Sequence, residues 1–149
     1  MGPAQSVDLN FVLIHPNAKL PTYGSDGAAG FDFYACEDYQ ISPGDCIKVP
    51  VGLIAEIPEG YEIQIRSRSS IGSSGVMLPH GVGTVDFDYR GELSIPLFNL
   101  TKEIFNIAQG QRIAQGLLKP VLRANIGQIT REQLSTTSRG SGGFGSTGV

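Results

Sequence analysis

Tyr61-Glu62-Ile63-Gln64-Ile65-Arg66 alternates apolar and polar residues without a break. A β-strand sends successive side chains to opposite faces, so this run reads as a strand with one buried and one wetted face. Leu93, Ile95 and Leu97 alternate in the same way. Working outward, Val7–Ile14, Gly30–Ala35, Cys46–Ile57 and Arg112–Leu118 are further strand candidates. Turn formers separate them: Pro21, Ser42-Pro43-Gly44-Asp45, Pro58-Glu59-Gly60 and Gln109-Gly110-Gln111. Short strands at this spacing predict an all-β sandwich or barrel. No segment holds a sustained 3.6-residue apolar stripe, so at most a short helix is expected near Ser70–Val76. Ile63, Ile65, Leu93 and Ile95 suit either a core or a subunit interface.

The 149 residues suffice for one domain with a real hydrophobic core. Hydrophobic residues at 40% and charged residues at 17% place the chain among globular proteins rather than disordered ones. A net charge of −3 argues against a general nucleic-acid coat, which needs a basic face. It leaves room for a small anion held by a few arginines and backbone N–H groups. The opening MGPAQSVDLN has neither the apolar nor the basic region of a secretory signal. No apolar run reaches the roughly 18 residues of a membrane span. No stable nucleic-acid or membrane partner is therefore expected, and the expected location is the cytoplasm, or the host-cell cytoplasm or nucleus for a viral or eukaryotic source. Cys36 and Cys46 are read as reduced and structural, and Asn99-Leu100-Thr101 as a sequon that meets no glycosylation machinery. From Ser138 on, almost every residue is Gly, Ser or Thr. Such a stretch cannot build a core and reads as a mobile tail on a β-domain of residues 1–137.

Several familiar patterns fail on context. Gly140-x-Gly142-x-x-Gly145 is a literal GxGxxG, but a dinucleotide fingerprint follows a strand and opens a helix, and this one ends the chain. Asp86-Phe87-Asp88 begins like a calcium loop, yet Arg90 holds its fifth position and Leu97 its twelfth, where a bidentate Glu belongs. His15 and His80 have no metal-ligand spacing.

Five segments carry polar and glycine residues that a plain β-sandwich does not need. They are Ala28-Ala29-Gly30-Phe31-Asp32-Phe33-Tyr34-Ala35, Arg66-Ser67-Arg68-Ser69-Ser70, Gly83-Thr84-Val85-Asp86-Phe87-Asp88-Tyr89-Arg90-Gly91-Glu92, Gly110-Gln111-Arg112-Ile113-Ala114-Gln115 and Arg139–Gly148. Each alone has an ordinary explanation. Asp32 would be a solvent-face carboxylate, Arg68-Ser69-Ser70 a strand ending in a turn, Asp86-x-Asp88 a polar hairpin and the tail mere disorder.

Together and in this order, the five segments resemble the motifs of the homotrimeric dUTPase family, over about Leu9 to Gly148. The resemblance implies a distorted jelly-roll of mostly antiparallel strands, a β-clip, with residues 138–149 as a flexible C-terminal lid. It implies a dUTP pyrophosphatase in which Asp86 orients and deprotonates a water that attacks the α-phosphorus, giving dUMP and diphosphate. That activity would keep uracil out of DNA and supply dUMP for dTMP synthesis. Mg²⁺ would bridge the phosphates and touch the protein mostly through waters, one of them near Asp32. Gln115 would contact phosphate or its water shell, and Tyr89 would pack on the deoxyribose and refuse a 2′-hydroxyl. Uracil would be read by the hairpin from His80 to Asp86, with Gly83, Thr84 and Val85 offering backbone groups and Ser94 adding one more. A homotrimer with shared sites is implied, the tail of one chain reaching the site of another.

The residue chemistry agrees. The Arg68 guanidinium can pair with phosphate oxygens, and Ser69 and Ser70 add donors. Gly140, Ser141, Gly142, Gly143, Gly145 and Ser146 can wrap an anion with backbone N–H groups. Phe144 offers a face for a base, and Arg139 can reach the terminal phosphate. Two positions depart from the family pattern: His80 stands where many bacterial relatives have Asn, and Ser70 where many have Gly. Two other readings compete. A dCTP deaminase or a bifunctional deaminase–pyrophosphatase would share the β architecture, but the tail and Asp86-x-Asp88-Tyr89-Arg90-Gly91 resemble the dUTPase side. A non-catalytic jelly-roll module would not need the carboxylate, the arginines and the tail together.

Overall fold

A computed structural model describes residues 5–148. Eleven strands and one short helix follow in the order β1 (Asn10–Leu13), β2 (Thr22–Tyr23), β3 (Phe31–Tyr34), β4 (Tyr39–Ile41), β5 (Cys46–Glu56), β6 (Tyr61–Ser67), α1 (Ser69–Ser73), β7 (Val76–Met77), β8 (Gly83–Val85), β9 (Glu92–Asn99), β10 (Phe105–Ile107) and β11 (Arg112–Pro120). One sheet runs β1-β5-β9-β7, a second β2-β3-β11-β6-β8, and β10 pairs with β4. Every pairing is antiparallel. The architecture is a distorted jelly-roll, all-β apart from the single turn of α1.

The alternation in β6 works as its pattern requires. Ile63 and Ile65 are buried, while Glu62, Gln64 and Arg66 share the other face. There Gln64 Nε2 donates to Glu62 Oε1 at 2.7 Å, and Arg66 Nη2 donates to Gln64 Oε1 at 2.8 Å. Leu93, Ile95 and Leu97 of β9 are also at most 3% exposed. These residues belong to the core of one chain, not to an exposed interface. Phe31, Phe33, Val49, Val51 and Leu53 complete the packing between the sheets. The turns at Ser42–Asp45, Pro58–Tyr61 and Ala108–Gln111 each close with a backbone hydrogen bond of 3.0–3.2 Å. Gly52 sits where the β5–β9 register slips, at φ +69°, and a β-carbon there would press on His15 and Ala18.

Asn99 is fully buried and fully used. Its Nδ2 donates to Ile41 O and Glu103 O at 2.8 Å each, and its Oδ1 accepts from Thr101 N at 2.9 Å and from the Thr101 hydroxyl at 2.7 Å. The apparent sequon is therefore a structural asparagine bracing the β9–β10 connection. Both cysteines are free; Cys36 is buried and Cys46 exposed. Burial first, and then the Glu37 charge, push the Cys36 thiol up, which keeps it protonated and unreactive.

Strand pairing ends at Pro120. From Val121 to Gly148 the chain is exposed except at Gly142 and Gly143, which are partly covered. Leu122 is 99% and Ile126 95% exposed, so these two apolar side chains have almost no cover among the described residues.

Candidate active site

The hairpin from β8 to β9 builds one wall of the site. β8 pairs with β6 in the register Ile63↔Val85, Gln64↔Thr84 and Ile65↔Gly83. Beyond β8 the chain turns, with Tyr89 N–H donating to Asp86 O at 3.2 Å. Arg90 holds the turn: its Nη1 donates to the carbonyls of Phe87, Tyr89 (3.1 Å) and, across on β5, Ala55 (3.4 Å). The Tyr89 ring folds back over Gly91, where any β-carbon would overlap it, and its hydroxyl donates to Glu92 O at 3.2 Å. Glycine at 91 is thus what lets the tyrosine lie flat beside the cavity.

That cavity has a volume of about 220 Å³. His80, Gly83, Thr84, Val85, Asp86, Tyr89 and Ser94, the residues expected to read base and sugar, all line it. Ile65 and Leu93 supply apolar wall. Asp86 is exposed, and among the described residues its carboxylate takes part in no ion pair or side-chain hydrogen bond. It also borders a larger cleft of about 520 Å³, shared with Glu59, Glu62, Asp88 and Arg123. A free carboxylate bordering both spaces is placed to hold and polarise a water.

A second cluster lies on the polar face of the β3–β11–β6 sheet. Gln115 stands opposite Asp32 on one side and Arg66 on the other. Asp32 is 4% exposed, not the solvent-face carboxylate expected of an aspartate in a strand. The reason is its cationic surroundings: Arg68 Nε lies 3.4 Å from Oδ1, and Arg112 Nη1 lies 3.8 Å from Oδ2. Two guanidiniums offset the cost of burying the charge. Asp32 Oδ1 and Arg68 Nε nevertheless lack a hydrogen-bond partner, so the pair touches without alignment. Such a contact can be exchanged for a better one. Arg68 leads into α1 and its Nη1 donates to the Ser70 hydroxyl at 3.4 Å, while Ser69 and Ser70 are exposed. Ser70, in the place of the usual glycine, therefore steadies the arginine. Arg112 belongs to the fourth of the five segments but is given no role from sequence; its half-exposed guanidinium beside Asp32 makes it part of this cluster.

The tail forms a third, separate group. Arg139 Nε donates to Gly142 O at 2.7 Å, Gly142 N–H to Arg139 O at 3.1 Å, and Ser146 N–H to Gly143 O at 3.1 Å. Gly140 takes φ +54° and Gly145 +83°, which glycine adopts without strain. Phe144 is wholly exposed, and Ser141 lies in the turn between. These bonds stay within the tail. A single chain thus presents a nucleoside-sized cavity, an arginine cluster and a free arm without joining them.

No group of three or more His, Cys, Asp or Glu side chains that could hold a metal occurs among the described residues. A cation resident in a protein cage does not fit this donor set. A hydrated cation arriving with a polyphosphate does, because it needs only a carboxylate such as Asp32 for one of its waters; Oδ1 is covered by Arg68 and opens to a water only when that loose contact is released.

The dUTPase family model matches residues 16–148. A deoxyuridine 5'-triphosphate nucleotidohydrolase of Helicobacter pylori (strain ATCC 700392 / 26695) is 47% identical over 137 residues, covering 91% of this chain and 93% of that protein. Its counterpart in Wolinella succinogenes is 44% identical over 99% of both chains. Among solved structures, the Staphylococcus bacteriophage 80alpha dUTPase with dUPNHPP superposes with a TM-score of 0.86 at 27% identity, over 97% of this chain and all of that one. The fold and the whole-length sequence match agree: this chain belongs to the dUTPase family.

Proposed function

We propose that the chain hydrolyses dUTP to dUMP and diphosphate, with Asp86 as the general base. The observation that carries this is the unpaired Asp86 carboxylate at the rim of the 220 Å³ cavity lined by the hairpin. Uracil and deoxyribose enter that cavity. Backbone groups of Gly83, Thr84 and Val85 face the base, Ser94 borders it, and the Tyr89 ring closes on the sugar where a 2′-hydroxyl would clash. Asp86 orients a water on the α-phosphorus and takes its proton as the bond to the β-phosphate oxygen breaks. Arg68, Ser69, Ser70 and Gln115 pair with the phosphates, drawing Arg68 from its loose contact with Asp32. Asp32 would hold Mg²⁺ through one of the ion's waters, and the ion would supply neutralisation of the phosphate charge. Arg139 and the N–H groups of Gly140–Ser146 close over the phosphates, and Phe144 covers the base.

The assembly we infer is a homotrimer with shared sites. Support comes from the arm: its exposed Leu122 and Ile126 call for a neighbour's surface. At about 3.3–3.6 Å per residue, the stretch from Val121 to Gly148 can span to an adjacent subunit. The expected solution mass is three times 15.8 kDa, and a mass near one chain would contradict sharing.

The direct test is diphosphate release from dUTP, UTP and dCTP by the full chain with Mg²⁺. Turnover of dUTP alone is expected. Formation of a deaminated product from dCTP would move the chain to the deaminase branch, and no turnover of any of the three would overturn the reading. Among the described residues no helix is long and apolar enough to cross a membrane; placement in the cytoplasm is proposed.

A further inference from the structure

Arg112 reaches Asp32 because β11 slips once against β3. The strand opens on a turn pinned to the end of β3: Gly110 N–H donates to Ala35 O at 2.8 Å, and Ala35 N–H donates to Gln111 O at 2.9 Å. Arg112 then stands opposite Tyr34 and Gln115 opposite Asp32, with a register shift between Arg112 and Ala114. Asp32 and Tyr34 are two apart on β3 and share a face. Arg112 and Gln115 are three apart, so a regular strand would send them to opposite faces. The shift removes that conflict. Ile113 and Ala114 are both fully buried in the core, while Arg112 and Gln115 both stay on the polar face.

The two guanidiniums meet Asp32 at different atoms. Arg68 Nε lies 3.4 Å from Oδ1, and Arg112 Nη1 lies 3.8 Å from Oδ2, so each cation has its own oxygen. A β-carbon at Gly24 would sit 3.8 Å from Oδ2, so the β2–β3 loop also borders that oxygen. Arg68 leads into the exposed serines of α1, whereas Arg112 is fixed by the turn that opens β11. Among the described residues Arg112 forms no ion pair besides this one.

We propose that Arg112 is a positioning residue: it keeps Asp32 paired when Arg68 leaves the carboxylate for a substrate phosphate. The inference rests on the dUTP reading of the site and adds to it a role for Arg112. Stripping a buried carboxylate of its last cation is strongly unfavourable. With Arg112 on Oδ2, Arg68 departs without leaving a bare charge. The move becomes an exchange of one loose contact for an aligned, charge-assisted one. Without Arg112, Asp32 has Arg68 as its sole cation and competes with phosphate for it. Arg112 itself need touch no phosphate. It acts through Asp32, and neutralising Asp32 removes the need for it.

The test is a double-mutant cycle on the full chain: wild type, Arg112→Gln, Asp32→Asn and the double variant. Affinity for a non-hydrolysable dUTP analogue is measured by calorimetry, first without Mg²⁺, so that Asp32 has no cation water to hold, and then with it. Arg112→Gln should bind the analogue about tenfold more weakly than wild type, the scale of one hydrogen bond to a charged group. Arg112→Lys should recover most of that loss. In the Asp32→Asn background, Arg112→Gln should change the affinity by less than about twofold. Unchanged affinity in Arg112→Gln overturns the proposal. So does an equal loss in both backgrounds, which would make Arg112 a direct phosphate ligand. Should Arg112→Gln alone fail to fold, the two Asp32→Asn proteins decide, because a carboxamide needs no cation. Recovered folding with equal affinity in that pair supports the proposal, and a weaker double variant contradicts it. Failure of the wild type to bind the analogue under either condition sinks the dUTP reading itself, whereas wild-type binding that Arg112→Gln leaves intact sinks only the role of Arg112.

Discussion

Asp86→Asn is expected to lower dUTP turnover by about a thousandfold, within the range a positioned general base contributes. Asparagine is nearly isosteric with aspartate but cannot take a proton from water at neutral pH. The substitution should leave the fold alone. Asp86 is exposed and its carboxylate braces nothing among the described residues, so the stability change should stay within about 0.5 kcal/mol. Binding should survive as well, because the cavity walls at Ile65, Val85, Leu93 and Ser94 are untouched. The measurements are diphosphate release, the affinity for a non-hydrolysable dUTP analogue, and the melting temperature. Asp88→Asn is the control. Asp88 shares the larger cleft with Asp86 but is absent from the walls of the smaller cavity, and its loss should cost little. Near-wild-type turnover in Asp86→Asn would remove Asp86 as the base, and an equal loss in both variants would mean that cleft charge, not a positioned base, matters.

The parts of this fold that were legible in the sequence are the long strands with one wet face. In β6 and β9 every second residue meets the core, so hydrophobicity alone writes the period. The strands β2, β4, β7, β8 and β10 span two or three residues each, too few for a period to show. Their place is set by partners distant in sequence, as when Gly83–Val85 docks on Ile63–Ile65. The site divides along the same line. The hairpin residues are local in sequence, and the structure gathers them in one cavity as their order suggests. The burial of Asp32 was not legible, because the arginines that make it tolerable lie 36 and 80 positions away and reach it only through the β3–β11–β6 pairing. Arg90 looked like a misfit in a calcium loop; its real work, tying three carbonyls together, depends on Ala55 of β5. The exposed arm was legible only from Ser138, where composition changes. Its earlier part carries Val121, Leu122, Ile126, Ile129 and Leu134 and falls within the β-domain drawn to residue 137, because apolar content does not say whose surface will cover it.

Removing residues from Arg139 onward should leave a folded protein that turns over dUTP about a thousandfold more slowly. The structural half of this expectation follows from the hydrogen bonds. Arg139 bonds to Gly142, Gly142 to Arg139, Ser146 to Gly143 and Gly148 to Gly145, and among the described residues the one hydrogen bond backward is Gly140 N–H to the Thr137 hydroxyl at 3.1 Å. No core side chain loses a neighbour, so the melting temperature should hold. The functional half follows from chemistry. Without the tail, the triphosphate loses the Arg139 charge and a row of glycine N–H donors, and losing even one preorganised donor to developing charge costs about 10²–10³-fold. The base also loses the face of Phe144, whose φ of +52° already holds the side chain out from the turn. With the tail present, closure should be visible as protection of residues 139–148 from proteolysis when the analogue and Mg²⁺ are added, and as none when they are absent. An unfolded truncation product would make the tail structural. Full activity in a folded product would mean that it is no lid, and that the arginine cluster and the hairpin complete the site without it.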